Sequence, residues 1–170
     1  MLTFGSENSE INKHSRLAPF VLSIKDDPDN RLSIVIALPK NCPAADEDIA
    51  DSRLKDILSH STLVIEDTEQ LYEIAFGSYV IYQCRNESYT SYDPTEVMKG
   101  KYLVIFERSH FLDYYESVIF DKDTDNEKVC RKHYGIYGEN HIIDVISNEP
   151  PTIRTVSYTH LRAHETRRHL

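Results

Sequence analysis

The chain has 170 residues, of which 40% are hydrophobic and 28% are charged, and its formal net charge is −9 at pH 7. This length and composition suit one globular domain with a substantial core and exclude two domains of ordinary size. The negative charge excludes a typical nucleic-acid binder, because contacts with phosphates need a basic surface.

Residues 1–16 are polar and show no hydrophobic period, so we interpret them as a poorly ordered leader before a single domain over residues 17–155. Two β-prone segments, 19–24 and 32–38, flank a connection rich in Asp and Asn, which predicts a first hairpin. Residues 39–45 then resemble a loop.

A helix is predicted over residues 46–60. Acidic residues gather in its first turns, where they complement the helix dipole, and Leu54, Ile57 and Leu58 fall on one stripe. A short strand over residues 62–66 is expected to follow.

The chain centre predicts a second hairpin, with strands over 71–76 and 79–84. Gly77 followed by a small polar residue suits a two-residue type II′ turn, which places Phe76 opposite Tyr79. Because this hairpin is apolar on both faces, we expect it inside a sheet or under a helix.

The C-terminal half alternates β-prone and helical patterns. Ser109 has the position of a helix N-cap, and apolar residues follow it at helical spacing. Proline at positions 150 and 151 ends the last strand. The predicted elements are a helical turn after Pro94, a strand at 101–107, a helix at 110–120, a charged loop at 121–128 and a hairpin with strands at 129–137 and 141–147.

These elements indicate an α+β fold. Hairpins that follow one another favour an antiparallel sheet, and two helices between strand pairs are too few for a doubly wound parallel fold. We therefore expect a mainly antiparallel sheet of about seven to eight strands built from hairpins, with two helices packed on it.

The first candidate binding cluster is Arg85-Asn86-Glu87, at the end of a predicted strand. An arginine beside Asn and Glu could bind a carboxylate or a phosphate. The alternative is a polar sheet rim that bonds the following loop, and this structural interpretation has the greater weight because a buried arginine needs a partner.

The second cluster, Arg108, His110 and Asp113, surrounds the predicted start of a helix, where backbone N–H groups could bind an anion. The alternative is an ordinary helix cap with aromatic packing. His133 and the stretch 140–144, which includes His141, form the third cluster. His141 and Asp144 are three positions apart and point to opposite faces of a strand, which disfavours an acid/base pair. A metal site made with His110 has no supporting spacing motif, so no metal is predicted.

Known catalytic and cofactor signatures are missing from the sequence. It contains no GxSxG, HExxH, Walker or dinucleotide-binding pattern, and its three cysteines, Cys42, Cys84 and Cys130, form no CxxC pair. We therefore predict no cofactor and no catalytic residue, and reduced thiols in the cytoplasm. No apolar run is long enough to cross a bilayer, and a secretory signal is absent.

Three stretches carry a resemblance to known proteins: YVIYQCRNESY, FERSHFLDYY and HYGIYGENHIIDVIS, which begin at Tyr79, Phe106 and His133. They resemble a family of small bacterial proteins whose activity is unassigned, over about half of the chain. The resemblance implies a fold family and no catalytic residues. Separately, VSYTHLRAHET, which begins at Val156, resembles a translated sequencing adapter, and we interpret residues 156–170 as a non-native tail.

Eleven tyrosines and no tryptophan are the compositional oddity of the chain. Tyrosine suits recognition surfaces as well as half-buried sheet faces. Together with the acidic charge, it favours a non-enzymatic protein-binding domain, of the kind of an immunity protein that neutralises a basic toxin. The alternative is a small-molecule binding or hydrolytic domain, with a pocket formed by Arg85, Glu87, His110, His133 and His141.

Overall fold

The computed structural model describes residues 2–6, 17–43, 61–118 and 131–157, together with positions 53 and 56. Their strands form two antiparallel sheets. The first sheet has the order β1-β2-β3-β9, with β1 at Phe20–Asp26, β2 at Leu32–Pro43, β3 at Thr62–Phe76 and β9 at Thr152–Val156.

The second sheet has five strands in the order β4-β8-β7-β6-β5. These are β4 at Tyr79–Asn86, β5 at Val97–Lys99, β6 at Leu103–Arg108, β7 at Lys132–Tyr137 and β8 at His141–Ser147. Every pairing within both sheets is antiparallel.

One α-helix, α1 at His110–Val118, is described, and it begins directly after β6. The hydroxyl oxygen of Ser109 accepts a hydrogen bond from the backbone N–H of Leu112 at 3.1 Å. This bond satisfies one of the free N–H groups of the first turn, so the predicted N-cap is confirmed.

The main core lies between the two sheets. Ile34 and Ile74 of the first sheet belong to the same buried cluster as Ile136 and Ile143 of the second. Side chains alternate across a strand, so the neighbouring residues of the second sheet point to its other face. There Ile146 packs against residues of α1. The second sheet is therefore buried on both faces along β8.

Residues 2–6, which the sequence places in the leader, contact this core. Leu2 and Phe4 are buried, and the ring of Phe4 packs edge-to-face on Phe76 and Tyr134 at centroid distances of 6.4 and 5.2 Å. The backbone N–H of Gly5 also donates to the carbonyl of Leu103 at 2.9 Å. Residues 7–16 lie outside the described residues.

The predicted α+β class with mainly antiparallel strands is confirmed in outline, and its details need correction. The strands number nine and form two sheets, and one helix rather than two is described. The predicted helix at 46–60 lies outside the described residues except for positions 53 and 56, which are helical. The charged loop at 121–128 lies outside them as well.

The predicted central hairpin is wrong. Phe76 pairs with Leu32 on β2, and Tyr79 pairs with Ser147 on β8, so β3 and β4 belong to different sheets. Gly77 does not have the positive φ that a type II′ turn requires, and the chain bends there from one sheet into the other. The apolar residues of segment 71–84 are therefore divided between two sheets and do not form one hairpin.

Several predicted boundaries also need correction. The predicted loop at 39–45 is strand up to Pro43, and the predicted strands at 62–66 and 71–76 are one continuous β3. The longer strands pair with each other through residues that include Pro39 and Glu66. The short strands β5 and β9 are not predicted at all, and a turn rather than a helical turn contains Pro94.

The first and last predicted hairpins are confirmed. β1 and β2 pair from Asp26 opposite Leu32, and β7 and β8 pair from Tyr137 opposite Ile142. No helix among the described residues is long and apolar enough to span a membrane.

Candidate functional site

Asp144 is the centre of a buried polar network on the helix-bearing face of the second sheet. It is completely buried on β8, where its direct neighbours are Gln83 on β4 and Gly135 on β7. Its Oδ2 accepts hydrogen bonds from Gln83 Nε2 at 2.9 Å and from Arg85 Nε at 2.8 Å. Its Oδ1 lies 3.0 Å from Nε2 of His133. A carboxylate needs such partners to be buried at acceptable cost.

His133 connects Asp144 with Ser109. Its ring is stacked on Phe106 at a centroid distance of 4.0 Å and meets Phe111 edge-on. Its Nδ1 lies 2.8 Å from the hydroxyl of Ser109. With the ring proton on Nε2, which faces the carboxylate, Nδ1 accepts from the hydroxyl of Ser109, so both ring nitrogens of His133 have a partner. The two phenyl rings leave the imidazole one orientation.

Contacts within the network shift the pKa values of two members, Arg85 and Asp144. Burial alone raises the pKa of Asp144, but the hydrogen bond and electrostatic attraction of His133, followed by those of Arg85, outweigh it, so this pKa is lowered. Burial likewise acts to lower the pKa of Arg85, and the hydrogen bond and charge of Asp144 reverse that effect. Arg85 and Asp144 therefore form an ion pair within the buried polar network.

Arg85 links this network to a cavity of about 310 Å³. Its side chain is 35% exposed, while that of Asp144 is 1% exposed, so the guanidinium reaches from the buried carboxylate to the cavity wall. Asp144 uses only Nε, and Tyr137 shares one further hydrogen bond with the guanidinium, which has five N–H donors in all. Tyr137 also lines the cavity, and burial followed by the charge of Asp144 raises its pKa. Its hydroxyl therefore stays protonated at neutral pH.

The loop between β4 and β5 forms the opposite wall of the cavity and is held by its own polar contacts. Asn86 Oδ1 accepts from the N–H of Ser88 at 3.0 Å, which starts a 3₁₀ turn at Glu87–Tyr89. Asp93 accepts from both the N–H and the hydroxyl of Thr95. Such Asx-type bonds hold a loop in one conformation without regular structure.

Three contacts with His110 tie this loop to α1, the first of them between its Nε2 and Oγ1 of Thr95 at 3.0 Å. His110 Nε2 lies 3.1 Å from a carboxylate oxygen of Asp93, and Glu96 Oε1 accepts from the N–H of His110 at 3.0 Å. Arg108 adds hydrogen bonds from its guanidinium to the carbonyl of Thr95. These contacts hold the loop at Asp93, in its second half, and at Thr95 and Glu96, close to the start of β5.

A second, more open pocket of about 350 Å³ lies beyond Glu96, which also lines the first cavity. It is formed by the start of α1 and the end of the loop. The remaining lining residues are Thr95, Arg108, Ser109, His110 and Asp113.

The structure brings together most of the eight predicted site residues but divides them between two pockets. Arg85 and Glu87 line the first cavity, and Arg108, His110 and Asp113 line the second. The others have structural positions: His133 is buried and contacts Asp144, and Asn86 begins the 3₁₀ turn and pairs across the ladder with the half-buried His141.

Sequence reasoning weighed Asp144 only as a partner of His141 and left it out of the site residues, and it missed Gln83 and the second role of Ser109. The sequence does indicate that Asp144 is unusual, because it is the one acidic residue in the apolar run IIDVIS and needs a partner if it is buried there. Gln83 has no comparable signal, because its contact depends on the pairing of β4 with β8.

Ser109, His133 and Asp144 are connected in the order of a nucleophilic triad, but their surroundings do not suit that chemistry. Ser109 is 1% exposed, and its oxygen already accepts the N–H of Leu112. A nucleophile has to reach a substrate carbonyl at close range. The three residues instead form a support that orients Arg85. Among the described residues, no group of three or more His, Cys, Asp and Glu could hold a metal ion.

No protein-family model matches the chain, and no curated protein or solved structure matches it either. The family resemblance of the three motif stretches therefore stays a prediction.

Proposed function

We propose that this protein is a non-enzymatic binding domain whose site is the cavity beside Arg85. The observation that carries the proposal is the buried support of that arginine. Asp144 takes one N–H of Arg85 and is itself bound by Gln83 and His133. An arginine fixed in this way loses little conformational entropy when it binds a ligand, which is the physical meaning of preorganisation.

The size and enclosure of the cavity support a small ligand. Its volume of about 310 Å³ falls at the lower end of the range for small-molecule sites. Apolar and aromatic surface from Met98, Tyr102 and Ile142 lines it beside the charged groups. This mixture of apolar walls and a few fixed polar groups is typical of ligand pockets.

The test is a thermal-shift screen of a small-metabolite panel. We expect at least one compound class to raise the Tm of the wild-type protein, because a ligand that binds only the folded state stabilises it. Arg85→Gln should abolish the shift. Arg31→Gln removes an exposed arginine from the β1–β2 turn and should retain it. A panel without any shift, or equal shifts in both variants, would contradict the proposal.

A protein partner is the second candidate, and the exposure of two tyrosines favours it. Tyr89 and Tyr92 are 90% and 75% exposed. They lie in the pinned segment 87–96, which contains three acidic residues and no basic one. Rigid exposed tyrosines are enriched at protein interfaces, and the charge selects a basic partner such as a toxin.

This candidate is tested by capture from lysate with the wild-type protein and matched variants. A basic partner that is retained by the wild type and by Tyr114→Ala, but lost with Tyr89→Ala and Tyr92→Ala, would support it. Tyr114 is 54% exposed on α1, outside the segment, and serves as the control. Equal capture by all variants would reject the tyrosine-bearing segment as the interface.

A further inference from the structure

The charges around the cavity beside Arg85 have both signs. Arg85 and Lys101 are the cations, and Glu87, Asp93 and Glu96 are the carboxylates. A purely anionic ligand would meet three negative groups beside Arg85, and a purely cationic ligand would meet a fixed guanidinium. Like charges at short range disfavour both. A ligand that carries one charge of each sign is complementary to this lining.

The carboxylates differ in how far they are already used. Asp93 is bound to Thr95 and His110, and Glu96 caps the first N–H of α1. The side chain of Glu87 makes no hydrogen bond or ion pair with any residue in the described ranges, and it follows Arg85 by two positions. Glu87 is therefore the carboxylate available to an ammonium group.

Arg85 offers the matching group for a carboxylate. Asp144 holds its Nε and Tyr137 shares a further hydrogen bond with the guanidinium, so the other terminal N–H donors remain for a ligand at the cavity wall. Arginine binds carboxylates through paired N–H donors, and charge-assisted bonds of this kind are among the strongest in proteins.

The remaining surface is apolar or aromatic. Tyr92, Met98, Tyr137 and Ile142 line the cavity together with the charged groups. A compact molecule with an apolar substituent would cover this surface while its two charges meet Arg85 and Glu87.

We propose that the cavity binds a small zwitterion, a free α-amino acid with an apolar or aromatic side chain. Arg85 binds its carboxylate, Glu87 binds its ammonium group, and the side chain lies against Tyr92 and Ile142. This inference rests on the proposed binding function and names the ligand class of the same site.

The experiment measures binding of free L-amino acids by titration calorimetry with the full chain. The best ligand is then compared with two analogues, the same compound without its amino group and the same compound without its carboxylate. Each analogue should bind about tenfold more weakly or worse, because each loses a charge-assisted contact.

Two variants assign the two contacts. Glu87→Gln should lower the affinity for the amino acid about tenfold and leave the affinity for the analogue without the amino group unchanged. Arg85→Gln should abolish binding of both. Because Arg85 contacts the buried network, Arg85→Lys and a comparison of Tm values separate loss of binding from loss of folding. Exposed Glu87 is outside that network, and Glu149→Gln is its matched control.

The outcomes separate this inference from the proposed function. Binding that requires Arg85 but is equal for the amino acid and its analogue without the amino group would overturn the zwitterion and keep the cavity as a ligand site. If no amino acid binds while another compound class gives an Arg85-dependent thermal shift, the inference fails and the proposed function stands. If neither binds, both fail.

Discussion

Asp144 shows how one residue can support a fold and a site together. A carboxylate inside an apolar strand is costly, and here three hydrogen bonds from Gln83, Arg85 and His133 offset that cost. The same bonds orient the guanidinium at the cavity wall. A buried ion pair of this kind is weak evidence for stability, and its effect on the geometry of the site is tested by the variants of Arg85 and Asp144.

The lowered pKa of Asp144 predicts a specific dependence of stability on pH. A carboxyl group with a lower pKa in the folded state stabilises the protein above its unfolded pKa of about 4, and that contribution is lost as pH falls through the folded pKa. We therefore expect the free energy of unfolding to fall as the pH drops below about 4, partly because Asp144 becomes protonated.

Urea denaturation from about pH 7 to about pH 3 measures this effect. Asp144→Asn should be less stable than the wild type by about 3 kcal/mol at neutral pH and should lose less stability in acid. Asp29→Asn, at an exposed position in the β1–β2 turn, should follow the wild-type curve. Parallel curves for the wild type and Asp144→Asn would show that Asp144 does not carry the acid sensitivity.

At the scale of elements, the sequence predicted structures that depend on contacts between residues close in the chain, and it did not predict pairings between distant segments. The hairpin of β1 and β2, the hairpin of β7 and β8 and the start of α1 depend on neighbouring residues, turn chemistry and a cap, and each was predictable. The pairing of β3 with β9 and of β4 with β8 joins segments far apart in the chain. Hydrophobic period alone does not choose among such partners.

The packing of β7 against β6 provides a prediction at this scale. A Cβ added at Gly135 would lie 2.7 Å from Cγ2 of Val104 and 3.0 Å from Cε2 of Phe106. Gly135→Ala should therefore lower the free energy of unfolding by about 1–3 kcal/mol, as expected for overpacking. Chemical denaturation measures the loss.

Gly77→Ala is the matched control, because a Cβ there would have no atom within 4 Å. It should change stability by less than about 1 kcal/mol. Adding Val104→Ala to Gly135→Ala should show favourable coupling, since it removes the contacting methyl group. If Gly135→Ala and Gly77→Ala were equally stable, the close approach of β6 and β7 would be disproved.

At the scale of the whole molecule, the sequence predicted the fold class and part of the site. Arg85 and Glu87 were candidates because polar residues at a strand end can be recognised in the sequence, and His133 was a candidate through its cluster with His141. Their grouping was not predictable, because Asp144 connects Arg85 with His133 only after β4 and β7 have paired with opposite edges of β8. The division into two sheets was missed for the same reason.

The position of β9 in the first sheet predicts the effect of shortening the chain. β9 pairs with β3 from Leu71 to Ala75, and Arg154 forms an ion pair with Glu73. A chain that ends at Pro151 should melt about 5 °C lower or more, because β3 loses one neighbour along this stretch. Scanning calorimetry measures the difference.

A chain that ends at Ser157 keeps β9 whole and serves as the control for shortening itself. It should melt within about 2 °C of the full chain. Equal melting temperatures for the chains that end at Pro151 and Ser157 would show that β9 adds nothing to the first sheet.

The place of β9 also sets an order of events during synthesis on the ribosome. β3 can pair with β2 as soon as both strands have been synthesised. Glu73 can form its ion pair only after Arg154, which is 81 residues further along the chain, has been synthesised. Until then one edge of β3 is open, and open strand edges favour association between nascent chains. The second sheet can complete its pairing before that edge closes. The last described strand to be translated therefore closes the sheet that the first strands began.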